Sequence, residues 1–375
     1  MPETCTVVNL PAMIAALPAE EQVLFERLFR VSQVVGELRV PESMRPWVMK
    51  HFGSLEAVEK QSIVKVTNLA TMEGALFNGI RACRPFEAKD GVDLEAIIAE
   101  SVGDPFCTPL SGTPEDVFGR VRGRHCITAS NVAKYDGFHG LVIFDEHDPL
   151  HLDEEAIADA FATSLEWARR AHEADDQAVY FFLMWNCLWK SGASIVHGHM
   201  QMALSRDMHY ARVESLRRAA LAYRGRYEAD LFGDIYEAHR ALGLAWESGS
   251  VRHVVYLTPA KEKETILFAD GLNAGLAHAV HGVLQRMVQE MGVRSFNVSV
   301  SMPPLAPTDE DWTGFPVMVR IVDRGDLSNR VADIGAMELY ASNVIASDPF
   351  VVAQALRHEE VSQSGLLAPV AAAIP

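Results

Sequence analysis

Two apolar runs of strand length, residues 178–185 (A-V-Y-F-F-L-M-W) and 195–204 (I-V-H-G-H-M-Q-M-A-L), follow one another across a short loop. Runs this rich in apolar and β-compatible residues read as strands. On a strand alternate side chains share a face, so His197, His199 and Gln201 project together, with Val196, Gly198, Met200 and Met202 opposite them. The pattern asks for a strand with one packing face and one chemical face. The loop before it, Ser191-Gly192-Ala193-Ser194, is small and flexible, suited to presenting backbone N–H groups to an anion.

An imidazole is a good nucleophile at neutral pH when a neighbour keeps one ring nitrogen protonated and leaves the other free. Gln201 can donate its amide N–H to a phosphate oxygen without supplying a base for water. The residues alone leave other readings open. A bare H-x-H serves equally as a metal half-site or as two satisfied core histidines, and spacing by itself favours these plainer accounts.

Charge narrows the partners. Against 33 Lys and Arg stand 50 Asp and Glu, a net charge of −17. Such a chain is a poor ligand for polymeric nucleic acid or an anionic membrane, which require basic surface. A small anion in a locally basic cleft remains open. The five cysteines are odd in number and include no C-x-x-C, so no disulfide framework is expected and the compartment reads as a reducing cytoplasm. The N-terminus lacks a basic signal region, and no apolar run reaches spanning length.

Taken in order, residues 18–37 read as an amphipathic helix with Leu24, Phe25, Leu28, Phe29 and Val31 on its apolar side, and residues 1–60 as a helical extension. From Ile63 a hairpin turns at residues 71–74 and leads to Arg81 and Arg84, either a diphosphate clamp or two solvated surface cations. Residues 117–122 and 124–129 read as a hairpin, Asn131 as a loop cap or ligand contact, and 141–144 as a strand. Residues 153–174 form a helix with acids first and arginines late, and 206–245 a charged helical connection. The order then repeats: strands at 251–257 and 264–268, a helix at 272–291, strands at 296–300 and 315–322. Val298-Ser299-Val300 is taken to stand where the second copy would carry its H-x-H. Residues 368–375 form an Ala- and Pro-rich tail.

From Asn186 to Gln201 the chain resembles the active-site strand of the histidine-triad superfamily. It is similar to the branch with glutamine as third member, which contains the galactose-1-phosphate uridylyltransferases and the diadenosine tetraphosphate phosphorylases. The resemblance implies that His199 is the nucleophile, that His197 orients it and that Gln201 contacts the transferred phosphate. It places Asn186, Ser191, Gly192 and Ser194 around that phosphate. R-A-C-R-P-F resembles the family's R-A-x-R-P-W and assigns Arg81 and Arg84 to substrate phosphates, while D-P-F-C-T-P resembles the N-P-F-x-x-P of the phosphorylases. The segment from Asn131 through Phe138 and His139 matches a loop that walls the nucleotide, and H-G-L-V-I-F-D-E-H matches H-x-L-V-I-P-K-x-H in frame.

The family often holds a zinc through C-x-x-C, a further histidine and the first active-site histidine. With no C-x-x-C here, the expectation is no zinc: Cys83 and Cys107 could combine with His197 in space, but small buried thiols are the plainer account. With no histidine on 296–300, no iron is expected in the second half, and no cofactor at all. The resemblance implies an α+β fold of two histidine-triad-like halves forming an intramolecular pseudo-dimer. The extension 1–60 precedes a catalytic half 61–210, a degenerate half 211–355 and a flexible tail 356–375. The expected function is transfer of a nucleoside monophosphate from a nucleoside diphosphate sugar to a sugar 1-phosphate through a nucleotidyl-histidine. The alternatives are a phosphorylase using inorganic phosphate and a non-catalytic nucleotide binder. Expected partners are a small nucleotide or nucleotide sugar, with no nucleic acid or membrane, in a monomer or homodimer.

Overall fold

The computed structural model describes residues 5–83, 92–329 and 334–357. Its strands are β1 (Phe29–Glu37), β2 (Lys60–Asn68), β3 (Gly74–Phe77), β4 (Cys126–Ser130), β5 (Phe138–Phe144), β6 (Tyr180–Cys187) and β7 (His199–Ser205) in the first part. β8 (Ala245–Ser248), β9 (Val251–Val255), β10 (Glu262–Ala269), β11 (Phe296–Ser301), β12 (Val317–Asp323) and β13 (Asn343–Ile345) follow. They form a four-stranded sheet, β1-β2-β3-β13, and a nine-stranded sheet, β4-β5-β7-β6-β11-β12-β10-β9-β8. The large sheet is antiparallel throughout. This is the α+β arrangement the sequence implied.

The large sheet has an internal symmetry that its register makes plain. β6 and β11 pair at its centre, β7 and β12 lie just outside them, and β5 and β10 outside those. One cross-strand row runs Leu141, Gln201, Met184, Ser299, Arg320, Ile266, so Gln201 and Arg320 stand at mirrored places. Residues opposite one another in a ladder face the same side, which puts the Gln201 and Arg320 side chains on one face of one sheet.

Helices cover the other face. The helix Glu154–Ala174 is capped by Asp153, whose side chain accepts from the Ala156 N–H, and buries Ile157, Phe161 and Trp167 over β4, β5 and β7. Ala274–Gln289 does the same over β9 and β10 in the second half. Met200 and Met202 are buried on this side, as alternation required. Gly140, opposite Met202, lies so close to the helix that an added Cβ would sit 2.7 Å from the Trp167 ring. Among the described residues no helix is long and apolar enough to cross a membrane.

Four expectations need correction. Residues 18–37 are not one helix: Ala19–Leu28 is helical, but Phe29–Glu37 is β1, paired along its whole length with β2. Val31, Val34 and Val35 suit a strand, and a ladder partner decides what an amphipathic pattern left ambiguous. Of the expected hairpin 117–129 only the second arm is a strand, β4, and residues 117–122 meet it through the isolated bridge Arg122–Ile127, with the Thr128 hydroxyl accepting from the Val121 N–H. The charged connection is two helices, Ala211–Tyr227 and Leu231–Ala241, the second capped by Asp230. Finally, the second-half strand that corresponds to β7 is β12, not residues 296–300. The latter is β11, the counterpart of β6.

Candidate active site

His199 opens β7, and residues 195–198 before it are irregular rather than part of the expected strand. The His199 Nδ1–H donates to the main-chain carbonyl of His197 at 2.8 Å. That bond fixes the tautomer and leaves Nε2 with its lone pair, unbonded among the described residues. Burial holds the imidazole below the ordinary histidine range, outweighing that carbonyl and the nearby Asp104, so the ring is neutral and nucleophilic. The edge of Phe106 packs on it at 5.0 Å between ring centroids. Phe106 joins Ile127, Ala129, Leu141, Ile143 and Ile195 in an apolar cluster beside His199.

Gln201, two residues along the same face, is oriented by His139. The Tyr135 backbone N–H donates to His139 Nδ1 at 3.0 Å, so the ring proton sits on Nε2 and points at Gln201 Oε1, also 3.0 Å away. With its oxygen engaged, Gln201 turns its NH2 away from His139. Burial also lowers the His139 pKa, which keeps this tautomer neutral. Asn131 lies beside the pair, its Oδ1 accepting from the Ala133 N–H as a loop cap and its Nδ2 3.5 Å from His139 Nε2.

Asn186, at the end of β6, is held from the second half. Asn297 Nδ2 donates to Asn186 Oδ1 at 2.6 Å and to the Ser191 carbonyl at 3.0 Å, while Arg324 donates to Asn297 Oδ1 at 2.6 Å. Asn186 therefore keeps its NH2 free of that bond. The loop that follows is shaped by Gly192, whose φ of 98° falls in the region glycine favours. The Ser191 hydroxyl bonds the Cys187 and Leu188 carbonyls at 2.8 and 2.7 Å, so it braces the turn rather than facing a ligand. Ser194 is exposed. Arg81 is exposed on the short 3-10 turn Gly79–Cys83 after β3 and joins none of the contacts around His199. Arg84 lies outside the described residues.

The His197 side chain does something the sequence did not disclose. Its Nε2 donates to the Phe144 carbonyl at 2.8 Å, and His147 Nε2 faces the Ile98 carbonyl at 3.1 Å. Both protons are thus on Nε2, and the two Nδ1 lone pairs confront each other at 3.1 Å. Lone pairs do not rest there unless a proton or a cation lies between them. Cys107 Sγ is 3.3 and 3.6 Å from the same two nitrogens, and Asp104 Oδ1 is 3.6 Å from His197 Nδ1. Asp104 Oδ2 is buried with no partner. One donor atom from each of Asp104, Cys107, His147 and His197 falls within 4.8 Å of the others. Two nitrogens, a sulfur and a carboxylate oxygen form a donor set that suits Zn²⁺. The expectation of no metal rested on the missing C-x-x-C. Asp104-x-x-Cys107 stands in its place, and that ground falls away. His197 also orients His199 through its main chain, not through its ring.

The sequence itself matches no protein-family model and no curated relative. Solved structures do match. An ADP-glucose phosphorylase from Arabidopsis thaliana, with bound ADP-glucose, superposes with a TM-score of 0.60 over 78% of this chain and 97% of its own, at 16% identity. A galt-like protein from Arabidopsis thaliana gives 0.59 over 78% and 98%, at 16% identity. A uridylyltransferase gives 0.54 over 65% and 87%, again at 16%. The chain has their fold. It is the fold expected from the Asn186–Gln201 segment, with two halves sharing one sheet.

Of the other contributors, Asn297 was not singled out in the sequence, while His139, Asp104, Cys107 and His147 stood in segments read there without these roles. The motif H-G-L-V-I-F-D-E-H did carry His139 and His147 at its two ends. Nothing local connects Asp104 and Cys107 to His197, which lies about ninety positions downstream.

Proposed function

We propose that the chain is a nucleotidyl transferase that carries a nucleoside monophosphate on His199. The observation that supports this most is the Nδ1–H of His199 held by the His197 carbonyl, which leaves a buried neutral Nε2 ready to attack. Nε2 attacks the α-phosphorus of a nucleoside diphosphate sugar, a P–N bond forms, and the bond to the bridging oxygen breaks to release sugar 1-phosphate. The ring becomes cationic in this step, and the His197 carbonyl on Nδ1–H stabilises that charge. The Gln201 and Asn186 amides donate to the phosphate oxygens, and the apolar cluster around Phe106 receives the base. A phosphate oxygen of the acceptor then displaces the histidine by the reverse path.

The acceptor is a sugar 1-phosphate in the first reading. Inorganic phosphate is the second, favoured by the D-P-F-C-T-P segment, which resembles that of the phosphorylases and meets His199 through Phe106. The Asp104–Cys107–His147–His197 set would hold a zinc ion. Bound there, zinc would supply a structural tie between the arm carrying Asp104 and Cys107 and the start of β7.

The reading is tested by incubating the protein with radiolabelled UDP-glucose and ADP-glucose in the absence of acceptor. One of them leaves a label that is lost in acid and persists in base, as a phosphoramidate does, and His199→Ala carries none. Inorganic phosphate and galactose 1-phosphate, added separately, then discriminate the acceptors by which discharges the label, since glucose 1-phosphate is the leaving group and discharges it by reversal in either case. A His199→Ala protein that still turns over defeats the mechanism.

A further inference from the structure

On the face of the sheet that carries His199 there is a cavity of about 490 Å³, over β11 and β12 and closed by the start of the helix Ala211–Tyr227. It occupies the second-half place that mirrors the His199 centre. Gln201 and Arg320 lie in the same cross-strand row, three strands apart, roughly 14 Å at the usual strand spacing. Among the described residues no histidine or cysteine lines it. Where β7 presents His199 and Gln201, β12 presents Met318 and Arg320, so the place holds no nucleophile.

The chemistry of the lining is specific. Arg320 donates from Nε to Glu264 at 2.5 Å and from Nη1 to Glu73 at 2.7 Å, but its Nη2 is buried without a partner. The Ser301 hydroxyl, on a residue only 3% exposed, is likewise without one. Both unsatisfied groups can donate, and buried donors require an acceptor. That acceptor is uncharged, because an anion placed at Arg320 would meet the two carboxylates that already neutralise it. Phe182, Leu216, Met318 and Val322 supply apolar walls for a ring. At the rim Arg212 is exposed and makes no ion pair among the described residues, a free cation for an anionic group outside.

We propose that this cavity is a second, non-catalytic site for a nucleoside 5′-monophosphate. The base carbonyl accepts from Arg320 Nη2 and Ser301, the ring lies between Phe182 and Met318, and the phosphate reaches Arg212. Asn297 belongs to both sites, since it lines the cavity and holds Asn186 at the catalytic one. Occupancy of the cavity is therefore positioned to be felt at Asn186. The site does not depend on His199 acting as a nucleophile.

Equilibrium dialysis with labelled UMP and labelled AMP tests this on the full chain. The expected result is a site that persists in His199→Ala, weakens at least tenfold in Arg212→Glu and is lost in Ser299→Phe, which fills the cavity. Arg212 is a surface residue, so its variant folds whether or not the second does. If neither nucleotide binds to His199→Ala, or if binding there is indifferent to Arg212→Glu, the proposal is overturned. If labelled glucose 1-phosphate alone shows the Arg212 dependence, the cavity is a sugar phosphate site and the nucleotide assignment is wrong.

Discussion

In the proposed reaction two atoms of the His199 ring have separate duties, and each is assigned by a neighbour. Nδ1 is tied to a carbonyl and Nε2 is left to react, while burial keeps the ring neutral. The pH dependence follows from the sign of that shift. The reactive form is the neutral one, and its pKa is lowered, so the labelling rate holds as pH falls past the ordinary histidine value of about 6.5 and declines only below it. An acid limb with its midpoint above that value would contradict the assignment. Gln201 depends in the same way on His139. A hydrogen bond to a charged phosphate is worth roughly 1.5–3 kcal/mol. His139→Leu and Gln201→Leu should each slow labelling by roughly ten- to a hundredfold. Combined, they should be no slower than Gln201→Leu alone, because one acts through the other. Additive losses in rapid-quench measurements would show that His139 has a separate role.

The elements hold the site by close approach and by cross-links. β5 passes under the helix Glu154–Ala174 at Gly140, where the Trp167 ring leaves no room for a Cβ. Trp167 cannot withdraw, since it is fully buried and its Nε1–H donates to Asp116 at 2.7 Å. Gly140→Ala should therefore cost about 1–3 kcal/mol, the usual price of overpacking, in urea denaturation. An unchanged midpoint would mean that helix and strand separate easily. The segment bearing Asp104 and Cys107 depends on the four-donor set instead. Elemental analysis should find about one zinc per chain, lost in Cys107→Ala, with its removal by chelator exposing residues 101–113 to protease. A metal-free protein whose arm resists cleavage would leave a shared proton between His147 and His197 as the better account.

Across the whole molecule a charged cluster ties the two sheets together. Glu73 sits at the β2–β3 turn of the small sheet, and Arg320 and Glu264 lie on β12 and β10 of the large one. Tyr256 adds a hydrogen bond to Glu73 at 2.8 Å and another from Asn68 at 3.0 Å. Replacing Arg320 by Met leaves the Glu264 carboxylate, 2% exposed, without its cation. Loss of one partner from a buried pair costs about 3–5 kcal/mol. Calorimetry should show that loss as a lowered transition for the whole protein, and separate melting of the small sheet would show that the cluster does not couple the two.

The sequence by itself determined what a local period can encode. Alternation placed His199 and Gln201 opposite Met200 and Met202, and caps and charge order placed the helix Glu154–Ala174 to within a residue. The motif around Asn186–Gln201 led to the fold that the solved structures share. Periodicity failed where a distant partner made the choice, as when pairing with β2 turned residues 29–37 from helix to strand. It did not assemble the donor set, because Asp104, Cys107, His147 and His197 come from separate segments that only packing brings together. It mistook β11 for the counterpart of β7, since order along the chain does not fix order across a sheet. Strand pairing and burial are long-range: they decide which side chains meet, which lone pairs are left free, and where a cavity remains on the second half.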